Sequence, residues 1–344
     1  MEDAEVLFSV RGPLGHIVLN RPRAINALTH GMVVAIAAQL EEWAVDPSVE
    51  RVLLTGAGER GLCAGGDIVA MYRDATTGDG TAAEQFWRDE YHLDARIARY
   101  PKPVIAIMDG VVLGGGVGIS AHASHRVVTE RSKIGMPETT IGYIPDVGGL
   151  WLLARPPGEL GTYLALSGET VGPGDAIALG LADYYVPSHR LVELVETTSL
   201  VELVSPLVEL ASPLVELVET PPAPVLLSER SWIDDAFAGD DLSAILSRVA
   251  GRPIADVLAA KSPTALVVTL AALRRARTLP TLEEGLAQDL RVSLRNLTSP
   301  DFAEGIRAQV VDKDRNPRWN PARVEDVTGV EAFFAPLERE LWTP

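Results

Sequence analysis

Short apolar runs alternate with helix-period segments along the first half of the chain, and this alternation restricts the fold more than any other feature. GHIVLN (15–20), RVLLT (51–55), VIAIMD (104–109) and HRVVTE (125–130) have the length and residue types of strands. Thr29 to Trp43 reads as a helix, with Thr29 as its cap and apolar positions 32, 36, 40 and 43 on one face. A second helical stretch over 82–99 is ended by the PKP at 101–103, and GGGVGISAHA (114–123) opens a third. Strands alternating with helices specify an α/β fold. From Ser231 onward the pattern is mostly helical, with helices expected near 253–260, 264–276, 281–296 and 300–309. Trp319, in the polar tail VDKDRNPRWNP (311–321), is expected to pack against another segment.

Residues 188–224 break the pattern. LVELVETTS (191–199), LVELVSP (200–206), LVELASP (207–213) and LVELVETPP (214–222) are tandem units, each too short to be a supersecondary repeat. Pro206, Pro213, Pro221 and Pro222 interrupt any long helix. The stretch reads as an expanded surface insertion, with a partner-binding amphipathic arm as the alternative. Three regions follow: a core over 1–187, the LVEL insert over 188–224, and a helical region over 225–344.

Bulk properties exclude several functions. The net charge of −17 argues against nucleic acid as a partner, although a few local arginines can still hold an anionic small ligand. No apolar run reaches the roughly 20 residues that span a bilayer. The acidic start MEDAEV does not read as a signal peptide, so a cytoplasmic protein is expected. The single cysteine, Cys63, excludes an internal disulfide and a cysteine-based zinc cluster, and reads as a small buried filler. His122 and His125 have no acidic third ligand nearby in sequence, so they read as a helix-end pair and no metal is expected. No GxSxG elbow is present, which removes the common serine hydrolase.

The chemistry lies in two glycine-rich turns and two carboxylates. GLCAGGD (61–67) and GVVLGGGVGISAH (110–122) are far apart in sequence, as a two-donor oxyanion hole requires. Gly66 and Gly115 are the candidate donors to a thioester oxygen, since glycine lets a ligand approach the backbone closely. Either run alone would be a tight turn, and neither matches a Walker loop or a dinucleotide fingerprint. Glu138 follows Pro137 in a stretch poor in charge, where a carboxylate acquires a raised pKa suited to base or nucleophile work. Asp146 lies eight positions further on, before a Gly-Gly pair. Two carboxylates so placed divide base and acid roles; without the glycine turns they would read as capping or turn residues.

These two turns, followed by PET (137–139) and PDVGG (145–149), resemble the crotonase (enoyl-CoA hydratase/isomerase) superfamily over about residues 5–187 and 225–335. Hydratases of that superfamily carry a glutamate at the end of GGGxE, where this chain has Gly118. The acidic pair before tyrosine (Asp89, Glu90, Tyr91), SPTAL (262–266), DFAEGIRA (301–308) and the tail are similar to its 3-hydroxyisobutyryl-CoA hydrolase branch. Leu62 departs from the usual phenylalanine before CAGGD. The resemblance implies a crotonase-type spiral of ββα turns with a helical C-terminal region. It implies that Glu90, Gly115, Glu138 and Asp146 contact substrate, that Gly66 and Gly115 form the oxyanion hole, and that Arg21 and Arg23 of NRPRAINAL meet the coenzyme A phosphates. The expected activity is hydrolysis of a short β-hydroxyacyl-CoA, 3-hydroxyisobutyryl-CoA of valine breakdown above all, with no cofactor beyond the coenzyme A of the substrate. Members of the superfamily often form homo-oligomers. The alternatives are an enoyl-CoA hydratase or isomerase, and a catalytically silent acyl-CoA-binding or scaffold protein.

Overall fold

The computed structural model describes residues 4–200 and 217–342, so the middle LVEL units lie outside the described residues. The chain forms two compact units: Met1–Gly66, Leu93–Ile134 and Val171–Val225 in the first, Asp67–His92, Gly135–Thr170 and Leu226–Pro344 in the second. They interleave along the sequence instead of following the division at 187 and 224 expected from composition.

The first unit is built on a six-stranded sheet. Its strands are β1 (Val6–Arg11), β2 (Leu14–Leu19), β3 (Arg51–Gly56), β4 (Val104–Met108), β6 (His125–Val128) and β9 (Tyr184–Tyr185), hydrogen-bonded in that order. β1 and β2 form an antiparallel hairpin, and every later neighbour is parallel. A second sheet joins β5 (Val111–Leu113), β7 (Lys133–Gly135) and β8 (Thr170–Val171). The expected strands are all present, and β3 and β4 are buried along most of their length, as parallel strands covered on both faces must be. In the helix His30–Val45 the Thr29 hydroxyl accepts the Met32 N–H at 3.2 Å, and Met32, Ile36, Leu40 and Trp43 are buried as expected. Because β2, β3 and β4 run parallel, their carboxyl ends deliver residues 20–28, 57–67 and 109–116 to one edge of the sheet.

The reading of the LVEL stretch as a surface insertion needs correction at its two described ends. Leu194 and Leu217 are fully buried in a core cluster with Leu14, Leu53, Ile105, Ile107, Val127 and Val186, and Leu191, Val195 and Val218 pack against it. The unit LVELV places apolar residues at helical spacing, so the helix Leu191–Leu200 lays a stripe on the sheet. After the second contact Glu219 N–H donates to Tyr185 O at 2.9 Å on the edge strand β9.

The second unit is helical. The expected C-terminal helices are Pro253–Ala259, Pro263–Ala276, Leu282–Leu297 and Pro300–Ile306, the last running on into a wider π turn over Arg307–Val311. Ser262 and Thr281 cap their helices by accepting the N–H groups of Ala265 and Glu284. The tail after Val311 is pinned by Arg307, which pairs with Glu304, Asp312 and Asp314. Trp319 packs as expected, its indole N–H donating to Ala260 O at 3.1 Å.

Candidate active site

The two glycine turns are brought side by side within the first unit. Asn26 is fully buried in a left-handed conformation (φ 53°), and its Nδ2 donates to the carbonyls of Ala57, Gly61 and Leu62 at 3.0, 3.2 and 3.1 Å. This clasp shapes the turn after β3. Ala64 N–H donates to Ile25 O and Leu28 N–H to Gly65 O on one side, while Leu113 N–H donates to Cys63 O on the other. A Cβ at Gly65 would lie 3.8 Å from the Gly115 nitrogen, and one at Gly116 would strike Cys63 O at 2.6 Å. Only glycine at 116 lets the two turns close this far. Gly115 is the first residue of the helix Gly115–Ala121, so its N–H has no intrahelical acceptor. Gly118 is buried inside the same helix, where it offers no carboxylate.

The carboxylates gather within the second unit. Glu138 opens the 3-10 turn Glu138–Ile141, is buried, and its Oε2 has no hydrogen-bond partner among the described residues. Burial first, and then the charge of Asp146, raise its pKa well above the ordinary value, against the opposing charge of Lys261. Asp146 is braced through one oxygen: the hydroxyls of Tyr91 and Tyr143 donate to its Oδ2 at 2.7 and 3.0 Å. Burial pushes its pKa up to about 6 in spite of the two tyrosines, which favour the anion. Ser293 Oγ lies 2.8 Å from the Tyr91 hydroxyl, also contacts the Tyr143 hydroxyl, and donates to Asp289 O at 2.7 Å. Each hydroxyl has one hydrogen to give, and this cluster has more oxygen–oxygen contacts than hydrogens. The two hydroxyls that donate to Asp146 Oδ2 support its anion, and burial alone works against it.

Neighbouring segments hold this cluster. Trp87 stacks on Tyr143 with centroids 5.8 Å apart, and Phe302 closes on Tyr143 at 5.2 Å. A Cβ at Gly142 would meet Asp301 O at 2.4 Å, and one at Gly305 would meet Ile141 at 2.3 Å. The DFAEGIRA signature thus packs against the turn that carries Glu138. SPTAL contributes through Ser262, whose hydroxyl donates to Asp301 Oδ2. Lys261, just before it, is buried, donates to Thr140 Oγ1, and has its pKa pulled down to about 8 by burial.

Other expected residues are placed as follows. Glu90 is buried on the helix Thr81–Ala98, but its neighbour Tyr91 makes the bond to Asp146. Arg21 is committed to the fold: it pairs with Glu5 at 3.0 Å and donates to Ala27 O, whereas Arg23 is exposed. Cys63 is fully buried, as a filler would be. His125 stacks on Tyr184 and contacts Ser124 Oγ at 3.0 Å. Among the described residues no group of three or more His, Cys, Asp or Glu is arranged to hold a metal ion. Sequence reasoning missed Asn26, Tyr143, Lys261, Asp289 and Ser293. Tyr143 was findable three positions before Asp146, but Ser293 touches Tyr91 from 202 positions away with no local signal.

Comparison with known proteins decides the family. The family model described as enoyl-CoA hydratase/isomerase matches residues 14–334. The chain belongs to the enoyl-CoA hydratase/isomerase family. The mitochondrial 3-hydroxyisobutyryl-CoA hydrolase of Rattus norvegicus is 39% identical over 350 residues, covering 98% of this chain and 90% of that protein. The enzyme of the same name from Xenopus tropicalis is 36% identical with the same coverage. Among solved structures, a carnitinyl-CoA dehydratase from Mycobacterium thermoresistibile is similar with TM-score 0.93 and 48% identity over 99% of both chains. An enoyl-CoA hydratase from Rhodobacter sphaeroides 2.4.1 gives TM-score 0.92 and 40% identity over 99% of this chain and 100% of that one. The fold is the expected crotonase-type α/β fold. The expectation of a cytoplasmic protein is corrected: the curated hydrolase relatives are mitochondrial by name, which contradicts it. The acidic N-terminus was too weak a basis for a cellular address.

Proposed function

We propose that this family member hydrolyses 3-hydroxyisobutyryl-CoA to 3-hydroxyisobutyrate and free coenzyme A. The observation that carries this reading is a buried Glu138 with one unpartnered oxygen, beside a braced Asp146, in a chain with glycine at 118. The two-glutamate route of hydration lacks its second glutamate here. A buried carboxylate with a free oxygen beside a second carboxyl supports chemistry at the thioester carbonyl instead.

In the reaction, the N–H groups of Gly66 and Gly115 take the thioester oxygen as it becomes negative, each worth about 3 kcal/mol in the transition state. Glu138 either attacks the carbonyl carbon, giving an anhydride that water opens, or removes a proton from the attacking water. On both routes the C–S bond breaks, and Asp146 gives its proton to the departing sulfur. Asp146 regains a proton when water is consumed. Glu90 orients the hydroxyacyl group, and Arg23 is the better placed of the two arginines to meet a phosphate. The route uses side chains and backbone alone.

The test is release of free thiol from 3-hydroxyisobutyryl-CoA, with hydration of crotonyl-CoA measured beside it. Thiol release without hydration is expected. Hydration without thiol release would overturn the assignment, and neither activity with coenzyme A still bound would make this a silent binding protein. Glu138→Gln should abolish thiol release and leave coenzyme A binding intact. Oxygen-18 from water appearing in Glu138 after one turnover would identify the anhydride route.

A further inference from the structure

The chain leaves Asp146 by a strained path. Val147 has φ 50° and Gly148 φ 72°, two successive left-handed residues. Glycine takes that conformation freely, but a β-branched valine does not, so something beyond the turn has to hold it. The Gly148 N–H donates to Asp289 Oδ2 at 2.9 Å, from 141 positions further along the chain. Asp289 is 1% exposed, and its Oδ1 has no partner among the described residues. On the same face of the helix Leu282–Leu297, one turn on, Ser293 meets the hydroxyls of Tyr91 and Tyr143, which hold Asp146. One helix face thus grips the Asp146 segment on both sides, at Tyr143 before it and at Gly148 after it.

We propose that Asp289 is a positioning residue: by accepting the Gly148 N–H it keeps Val147 left-handed and so aims the Asp146 carboxyl. This rests on the reading of Asp146 as the acid of thioester cleavage. The acceptor oxygen is what matters, so asparagine can replace it and alanine cannot.

The experiment follows thiol release from 3-hydroxyisobutyryl-CoA, with kcat, KM and the thermal midpoint, in five variants of the full chain. Asp289→Asn should keep kcat within about threefold, since it retains the acceptor. Asp289→Ala should lower kcat about 10- to 100-fold with KM nearly unchanged, the cost of a carboxyl displaced by about an ångström. Adding Val147→Gly to Asp289→Ala should restore most of that loss, because glycine needs no anchor to stay left-handed; Val147→Gly alone should be near wild type. Full kcat in Asp289→Ala, an equal loss in Asp289→Asn, or no recovery in the double variant would each overturn the proposal. If Asp289→Ala does not fold, Asp289→Asn and the double variant decide it by the same criteria. Asp146→Asn separates the two readings: full activity there removes Asp146 from the chemistry, whereas an inactive Asp146→Asn beside a fully active Asp289→Ala rejects only the anchor.

Discussion

Glu138 and Asp146 oppose each other inside the second unit, and that opposition is what suits them to share one proton. Taking both from water favours the neutral forms, and ionising one discourages the other. The proposed mechanism needs one proton between them, so kcat/KM for thiol release should be bell-shaped in pH, with an acid limb well above that of an exposed carboxylate. Tyr143→Phe removes a bond that favours the Asp146 anion, so Asp146 should titrate higher than its present value of about 6, and the limb that reports it should move up in pH. A limb that stays in place would mean Asp146 does not control the rate. The same groups set stability. Their pKa values are raised on folding, so between the unfolded carboxylate range near about 4 and the folded values the native state binds more protons. Stability therefore falls as pH rises through that window, and these carboxyls lower it at neutral pH. Glu138→Gln should melt at a higher temperature than the parent at pH 7 and show a smaller advantage at pH 4.

At the scale of elements, the glycine turns depend on close contact between segments that are distant in sequence. Gly116→Ala would drive a methyl group into Cys63 O, forcing the turn that ends in Gly66 away from the turn that begins with Gly115. Losing one of the proposed oxyanion donors in this way should lower kcat about 100-fold, with a much smaller change in the thermal midpoint if the strain stays local. The helix Leu191–Leu200 carries a different kind of dependence. Leu194 is fully buried against the sheet, so Leu194→Ala should cost about 3 kcal/mol in chemical denaturation. Removing 190–223 strips both Leu194 and Leu217 from the core and should destabilise strongly. Removing 200–213 alone joins the first unit to the last and keeps both contacts, so the melting temperature should stay close to that of the parent. Equal loss in the two deletions would assign the middle units a structural part as well.

Over the whole molecule, the sequence alone determined those features that depend on local pattern. The strand residue types of β2, the apolar stripe of His30–Val45, the Thr29 cap and the C-terminal helices are written in neighbouring residues, and the structure has them where the sequence placed them. Glu138, Asp146, Gly66 and Gly115 could be singled out as candidates because each sits in a short motif whose residue types suggest that chemistry. Tertiary structure decided the rest. Asn26 as the clasp of the first turn, Tyr143 and Ser293 as braces and Asp289 as anchor all act across the chain, where no spacing rule reaches. It also gave Arg21 an ion pair with Glu5 and brought the ends of a low-complexity insert into core. The physical reason is common to these cases. A side chain's hydrogen-bond partner and the water it loses are set by whatever packs against it, and that is fixed only when the chain has closed.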